Sequence, residues 1–107
     1  MSRFTDAIEH ILSAIEARKG GDPASSWTAK LLADPKLAAK KLGEEAVELV
    51  QASALKDRDA MAAEGADVIY HLLALLAAEG VSVDAVAEKL EARQGRSGIA
   101  EKAARPK

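Results

Sequence analysis

Two acidic pairs in the chain share one spacing: Glu45-x-x-Glu48 and Glu64-x-x-Asp67. On a helix, residues three apart are neighbours on one face, so each pair would set two carboxylates one turn apart. Carboxylates brought together from two such helices repel strongly unless cations lie between them. Hard oxygen donors in a chain with no cysteine suit Mg²⁺ or Mn²⁺ and not zinc. Magnesium keeps several waters and shares its coordination shell with substrate phosphates, which is the chemistry of phosphoanhydride cleavage. Glutamates at i and i+3 are also common on solvated helix faces. Their repetition on two consecutive helices is what favours the metal.

The segments that must carry these pairs read as helices. Ile8, Ile11, Leu12 and Ile15 give an amphipathic helix from Thr5 to about Arg18, ended by Gly20-Gly21-Asp22-Pro23. A short helical turn is expected over Thr28–Ala33. Asp34-Pro35 then reads as an N-cap followed by proline at the first helical position, opening a helix to about Leu55. Asp57 caps the next, which runs to about Ala78 and ends near Gly80. Ser82 caps a last helix that stops at Gly95. No stretch alternates with period two. The expectation is an all-α chain, an antiparallel bundle of four to five helices in one domain over residues 1–107, with a basic and partly mobile tail at 96–107.

A helical wheel refines the placement of the acids. The helix from Pro35 has its apolar arc at Leu42, Ala46, Leu49, Val50 and Ser53, with Glu45 on the shoulder, Glu48 beside it and Glu44 a further step away. The helix after Asp57 has its arc at Met61, Val68, Ile69, Leu72, Leu75 and Leu76, bordered by Glu64, then His71, then Asp67. Both helices thus carry an apolar seam with carboxylates along one edge. His71 is a candidate to ligate metal, to orient a carboxylate or to touch phosphate, or simply a histidine at the core's edge with one backbone partner. Tyr70 points away from the acidic strip, towards a subunit contact or substrate. His10 belongs to no constellation, and no Ser-His-Asp arrangement suggests a side-chain nucleophile.

Composition narrows the classes further. Hydrophobic residues make up 49% of the chain, but 24 residues are alanine and there is one each of Phe, Trp and Tyr. Alanine favours helix and buries little area, so the core is expected to be thin and completed by a second copy. A net charge of −2 gives no general attraction to nucleic acid or anionic membrane. Neither a signal peptide nor a membrane span is evident, and a cytoplasmic location is expected. Basic residues cluster at Lys30, Lys36, Lys40 and Lys41, and again from Lys89 to the end, where six bases meet only Glu91 and Glu101. Such segregation supplies a rim for a polyanion, although a solvated face and a charged tail are the commoner meaning.

The residues also resemble a known family over nearly the whole length. Ser26-Trp27-Thr28-Ala29-Lys30-Leu31-Leu32 is similar to the Ser-aromatic-Thr-x-Lys-Leu segment of phosphoribosyl-ATP pyrophosphohydrolases. The likeness continues through Lys41-Leu42-Gly43-Glu44-Glu45-Ala46-Val47-Glu48, then from Glu64 to Leu73, from Arg93 to Ile99 and from Glu101 to Arg105. The acidic pairs alone would indicate only the wider MazG-like all-α group; the Thr-x-Lys-Leu-Leu and Ser-Gly…Glu-Lys-Ala segments make the match narrower. Gln94, where many members have histidine, and Trp27, in place of the usual tyrosine, depart from the pattern.

The resemblance implies magnesium-dependent hydrolysis of phosphoribosyl-ATP to phosphoribosyl-AMP and pyrophosphate, in histidine biosynthesis, by a homodimer. It implies metal binding by Glu45, Glu48, Glu64 and Asp67, with Glu44 as a ligand, a supporting group or a water-orienting base. The expected mechanism is water attack at the α-phosphorus, Glu44 or Glu48 taking the proton and Lys30, Lys41, Arg96 and Lys102 holding phosphates. The rivals are a housekeeping nucleoside triphosphate pyrophosphohydrolase and a non-enzymatic helical adaptor.

Overall fold

The computed structural model describes residues 2–94. Gly95, the tail, Arg96 and Lys102 therefore lie outside the described residues, and the last helix ends at Ala92, capped at Arg93, short of the expected Gly95. Five helices follow one another: α1 (Arg3–Ala17), α2 (Trp27–Ala33), α3 (Pro35–Ala54), α4 (Arg58–Ala78) and α5 (Val83–Ala92). The chain is all-α, and no strand occurs among the described residues.

Each helix begins with a side chain that satisfies one of its unpaired N–H groups. Ser2, Ser26, Asp34, Asp57 and Ser82 accept from the backbone N–H of Thr5, Ala29, Leu37, Ala60 and Asp84 at 3.0–3.2 Å. Three of these caps were legible as breaks before apolar periodicity. Ser2 and Ser26 move the starts of α1 and α2 one or two residues earlier than the periodicity predicts, because the cap and not the first apolar residue sets the boundary.

The ends follow the same local logic. At the end of α4, Gly80 takes a φ of +71°, and the Val81 N–H reaches the Leu76 carbonyl at 2.8 Å. This left-handed closure is natural for glycine. The end of α3 repeats it with Lys56 at a φ of +58°, the Asp57 N–H reaching the Ala52 carbonyl at 3.1 Å. A three-residue connection then sends α4 back along α3 as an antiparallel pair, the most extensive helix contact in the fold.

α4 is the hub, packing against α1, α2 and α3. By length and composition alone it is apolar enough to cross a membrane. It carries Glu64, Asp67 and His71 and packs on three other helices, although only His71 and Ala74 of its residues are fully buried in the single chain. The buried apolar residues are few and mostly small: Ile15, Ala29, Leu31, Ala38, Ala52 and Ala74. α5 buries no residue. The thin core expected from the alanine content is present.

The packed faces differ from the wheel expectation. On α3 the buried line is Ala38, Glu45 and Ala52, spaced by seven residues, whereas Val50 is 67% exposed and Ser53 is exposed. On α4 the buried residues are His71 and Ala74, with Glu64 half-buried and Leu72 exposed. Each seam is rotated towards its acidic edge. Small residues allow close helix approach, and a site between the helices needs its carboxylates inside the contact and not beside it.

Lys56 pays the Cβ penalty of the left-handed conformation, with no such penalty for glycine. Lys56→Gly is expected to stabilise the fold by about 0.5–1 kcal/mol in urea denaturation; destabilisation would mean that Lys56 makes a compensating contact.

Candidate metal centre

The α3–α4 pairing brings three of the four carboxylates predicted as ligands into one place. Glu45, Glu48 and Glu64 each offer an oxygen such that all three lie within 4.8 Å of one another. Glu45 is 9% exposed, Glu64 half-buried and Glu48 exposed, so the cluster has a closed inner end and an open outer one. Glu45 and Glu48 sit one turn apart on α3; Glu64 comes from α4, which runs the other way. The antiparallel hairpin, fixed by the Asp57 cap and the Lys56 turn, is what aligns them.

The electrostatics show what the cluster lacks. Glu45 Oε2 and Glu64 Oε2 are buried with no hydrogen-bond partner among the described residues. Loss of hydration, reinforced by the Glu48 and Glu45 carboxylates beside it, pushes the Glu64 carboxyl up to about 7. A buried anion without a donor is costly unless a proton or a cation joins it. Hard oxygens with one open side fit a divalent cation that also binds substrate oxygens. The described residues thus contain an acidic group able to hold a metal ion.

The other predicted site residues are distributed differently. Asp67, one turn beyond Glu64, is exposed and does not join the group of three. Glu44 faces Lys41, Oε1 and Nζ being 3.1 Å apart. That contact holds the Glu44 carboxyl below its ordinary value and raises the Lys41 ammonium. A carboxylate already bound to an ammonium is a poor proton acceptor while that contact lasts. Lys41 lies on the same helix as Glu45 and Glu48. Lys30 is exposed on α2, its Nζ 5.9 Å from the centroid of the Trp27 ring.

His71 is 6% exposed, and its Nδ1 lies 2.8 Å from the Asp67 carbonyl. A carbonyl only accepts, so Nδ1 donates and a neutral ring keeps its lone pair on Nε2, which has no partner among the described residues. The backbone partner allowed for His71 is present, and its second ring nitrogen is left to a further role. Tyr70 turns inward: its hydroxyl bonds that of Thr28, and its ring packs on Leu31, Ala38 and Ala74. This brace between α2 and α4 was missed, since two hydroxyls 42 residues apart leave no local signal.

Known proteins point the same way. A family model for phosphoribosyl-ATP pyrophosphohydrolase matches residues 9–94. The chain is 68% identical over 103 residues to a protein of Caulobacter vibrioides named phosphoribosyl-ATP pyrophosphatase, covering 96% of each chain. It is 62% identical to the protein of the same name from Caulobacter sp. strain K31, covering 99% of each. The corresponding figure for Ruegeria pomeroyi is 58%, over 94% of this chain and 98% of the relative.

The raised Glu64 carboxyl has a consequence for stability. Between the ordinary carboxyl value and about 7, the native state binds more protons than the unfolded chain, so stability falls as pH rises. In a chelator, the melting temperature is expected to drop from about pH 5 to about pH 8, and saturating Mg²⁺ should remove most of that drop. A chelated protein whose melting temperature is flat or rises across this interval would contradict the clustering.

Proposed function

The chain belongs to the phosphoribosyl-ATP pyrophosphohydrolase family, and on that premise we propose that it hydrolyses phosphoribosyl-ATP to phosphoribosyl-AMP and pyrophosphate with a divalent cation held by Glu45, Glu48 and Glu64. The observation that carries the metal assignment is the pair of partnerless buried oxygens on Glu45 and Glu64, with a third carboxylate at the open side. Mg²⁺ is the proposed ion and Mn²⁺ its substitute. Asp67 stands one turn from Glu64 on the exposed side, where it would join once substrate and metal draw the edge together.

The proposed chemistry begins with water approaching the α-phosphorus opposite the bridging oxygen. The water's proton passes, as the new P–O bond forms, to a carboxylate oxygen not committed to the cation: the outer oxygen of Glu48, or Glu44 once Lys41 has left it. The bond from the α-phosphorus to the bridging oxygen breaks, and pyrophosphate departs. Charge neutralisation at the phosphate oxygens and on the leaving group is what a divalent cation supplies there. Lys41, one turn before Glu45, exchanges its Glu44 partner for a substrate phosphate, and Lys30 offers a second charge from α2. Arg96 and Lys102 are proposed as further positive charges for the phosphates. His71, fixed through Nδ1 to the Asp67 carbonyl, is proposed to support the acidic edge of α4.

A homodimer is also proposed, with each chain a single domain acting in the cytoplasm. The monomer leaves Phe4, Val47, Val50 and Leu55 more than half exposed while burying few large side chains. Monomeric proteins rarely leave so many apolar groups uncovered beside so thin a core. Light scattering coupled to gel filtration is expected to give the mass of two chains; a monomer at tens of micromolar would contradict it.

The functional reading is tested by pyrophosphate release from phosphoribosyl-ATP, with dUTP and dCTP in parallel, with and without Mg²⁺. Glu45→Gln is expected to lower kcat by at least about 100-fold, since even groups that merely support a ligand cost 10–100-fold. Its helical circular dichroism should be unchanged. Near-normal turnover by Glu45→Gln would refute the ligand assignment, and preference for dUTP or dCTP would refute the substrate.

A further inference from the structure

Trp27 is the first residue of α2, a helix whose inner face is otherwise well buried at Ala29 and Leu31. An indole is the largest apolar group available to a chain with a thin core, yet this one is 44% exposed. Two features organise it. The Lys30 ammonium lies 5.9 Å from the ring centroid, a cation–π distance. The indole also walls a cavity of about 540 Å³ together with Arg18, Asp22, Ser25, Ser26 and Thr28. An aromatic wall among hydroxyls and one charge of each sign suits a flat, polar-edged ring.

The position of this wall is fixed relative to the carboxylates. The Thr28 hydroxyl bonds the Tyr70 hydroxyl, tying the first turn of α2 to α4. Tyr70 is six residues beyond Glu64, about 9 Å along the helix axis at 1.5 Å per residue. In a nucleotide the ribose separates the base from the α-phosphorus, so a base platform must stand off the metal-binding carboxylates on a neighbouring element. The first turn of α2, tied to α4 at Tyr70, is such an element, and Lys30 on the same helix adds a positive charge beside the indole.

We propose that Trp27 stacks on the purine base of the substrate, the adjoining cavity receiving the base's polar edge. The proposal rests on the pyrophosphohydrolase reading only for the identity of the nucleotide. Stacking is sequence-tolerant between bases and is governed by ring overlap, so Trp27 contributes affinity and holds the α-phosphorus over the carboxylates.

The chain has one tryptophan, so its fluorescence reports on Trp27 alone. The full chain in Mg²⁺ is titrated with AMP, which has no phosphoanhydride bond to cleave, and with ribose 5-phosphate, which has no base. Saturable quenching by AMP and none by ribose 5-phosphate is expected; no saturable change with AMP, or equal quenching by both, overturns the proposal. In turnover, Trp27→Ala is expected to raise KM for phosphoribosyl-ATP by about tenfold, the change falling on KM more than on kcat. Trp27→Phe, which keeps an aromatic face, should recover most of that affinity. An unchanged KM in Trp27→Ala also overturns it. Were the wild type inactive on phosphoribosyl-ATP, the substrate assignment would fall while the AMP titration still decided the stacking.

Discussion

Three carboxylates converge where α3 and α4 pack, and their mutual repulsion is the constraint around which the fold is arranged. Like charges at this distance, partly removed from water, cannot all remain ionised without a cation or a proton. The raised Glu64 carboxyl expresses the conflict directly. A seam built for stability alone would place leucine or valine where Glu45 and Glu64 stand. Those side chains instead occupy the flanks, and several remain in solvent.

The surrounding structure serves to hold that unfavourable group in register. Alanines at 38, 52 and 74 let the two backbones approach, so short reach suffices for glutamates on opposite helices to meet. The hairpin is set at its turn by the Asp57 cap and at its far end by Leu31 and Tyr70, which wedge α2 against both helices. His71 adds rigidity through its bond to the Asp67 carbonyl. Little apolar area is left to stabilise a lone chain, which links the acidic seam to the proposed dimer: the side chains displaced from the seam are those available for a partner.

Helix number and boundaries were legible because they depend on local chemistry. Asp34-Pro35, Asp57, Ser82 and Gly80 each act within one turn of their own position, and the structure realises all four. The acidic pairs were legible as a constellation for the same reason, their spacing being a property of one helix at a time. Which way each face turns is not local. The wheel ranks faces by hydrophobicity and so placed Val50, Ser53 and Leu72 inside and the glutamates at the border. The rotation becomes apparent only when both helices are present. The Lys41–Glu44 pair, the outward position of Asp67 and the Thr28–Tyr70 brace likewise depend on side-chain directions or on partners distant in sequence.

The family membership gives the hydrolase class, and the proposal it leaves to be tested is that a divalent cation sits in the acidic seam. Anomalous diffraction from crystals grown with Mn²⁺ addresses that claim without relying on turnover. The account predicts a peak within direct bonding distance, about 2.0–2.3 Å, of oxygens from Glu45, Glu48 and Glu64. A well-ordered seam with no peak, its glutamates bonded to lysines or to water alone, would contradict it.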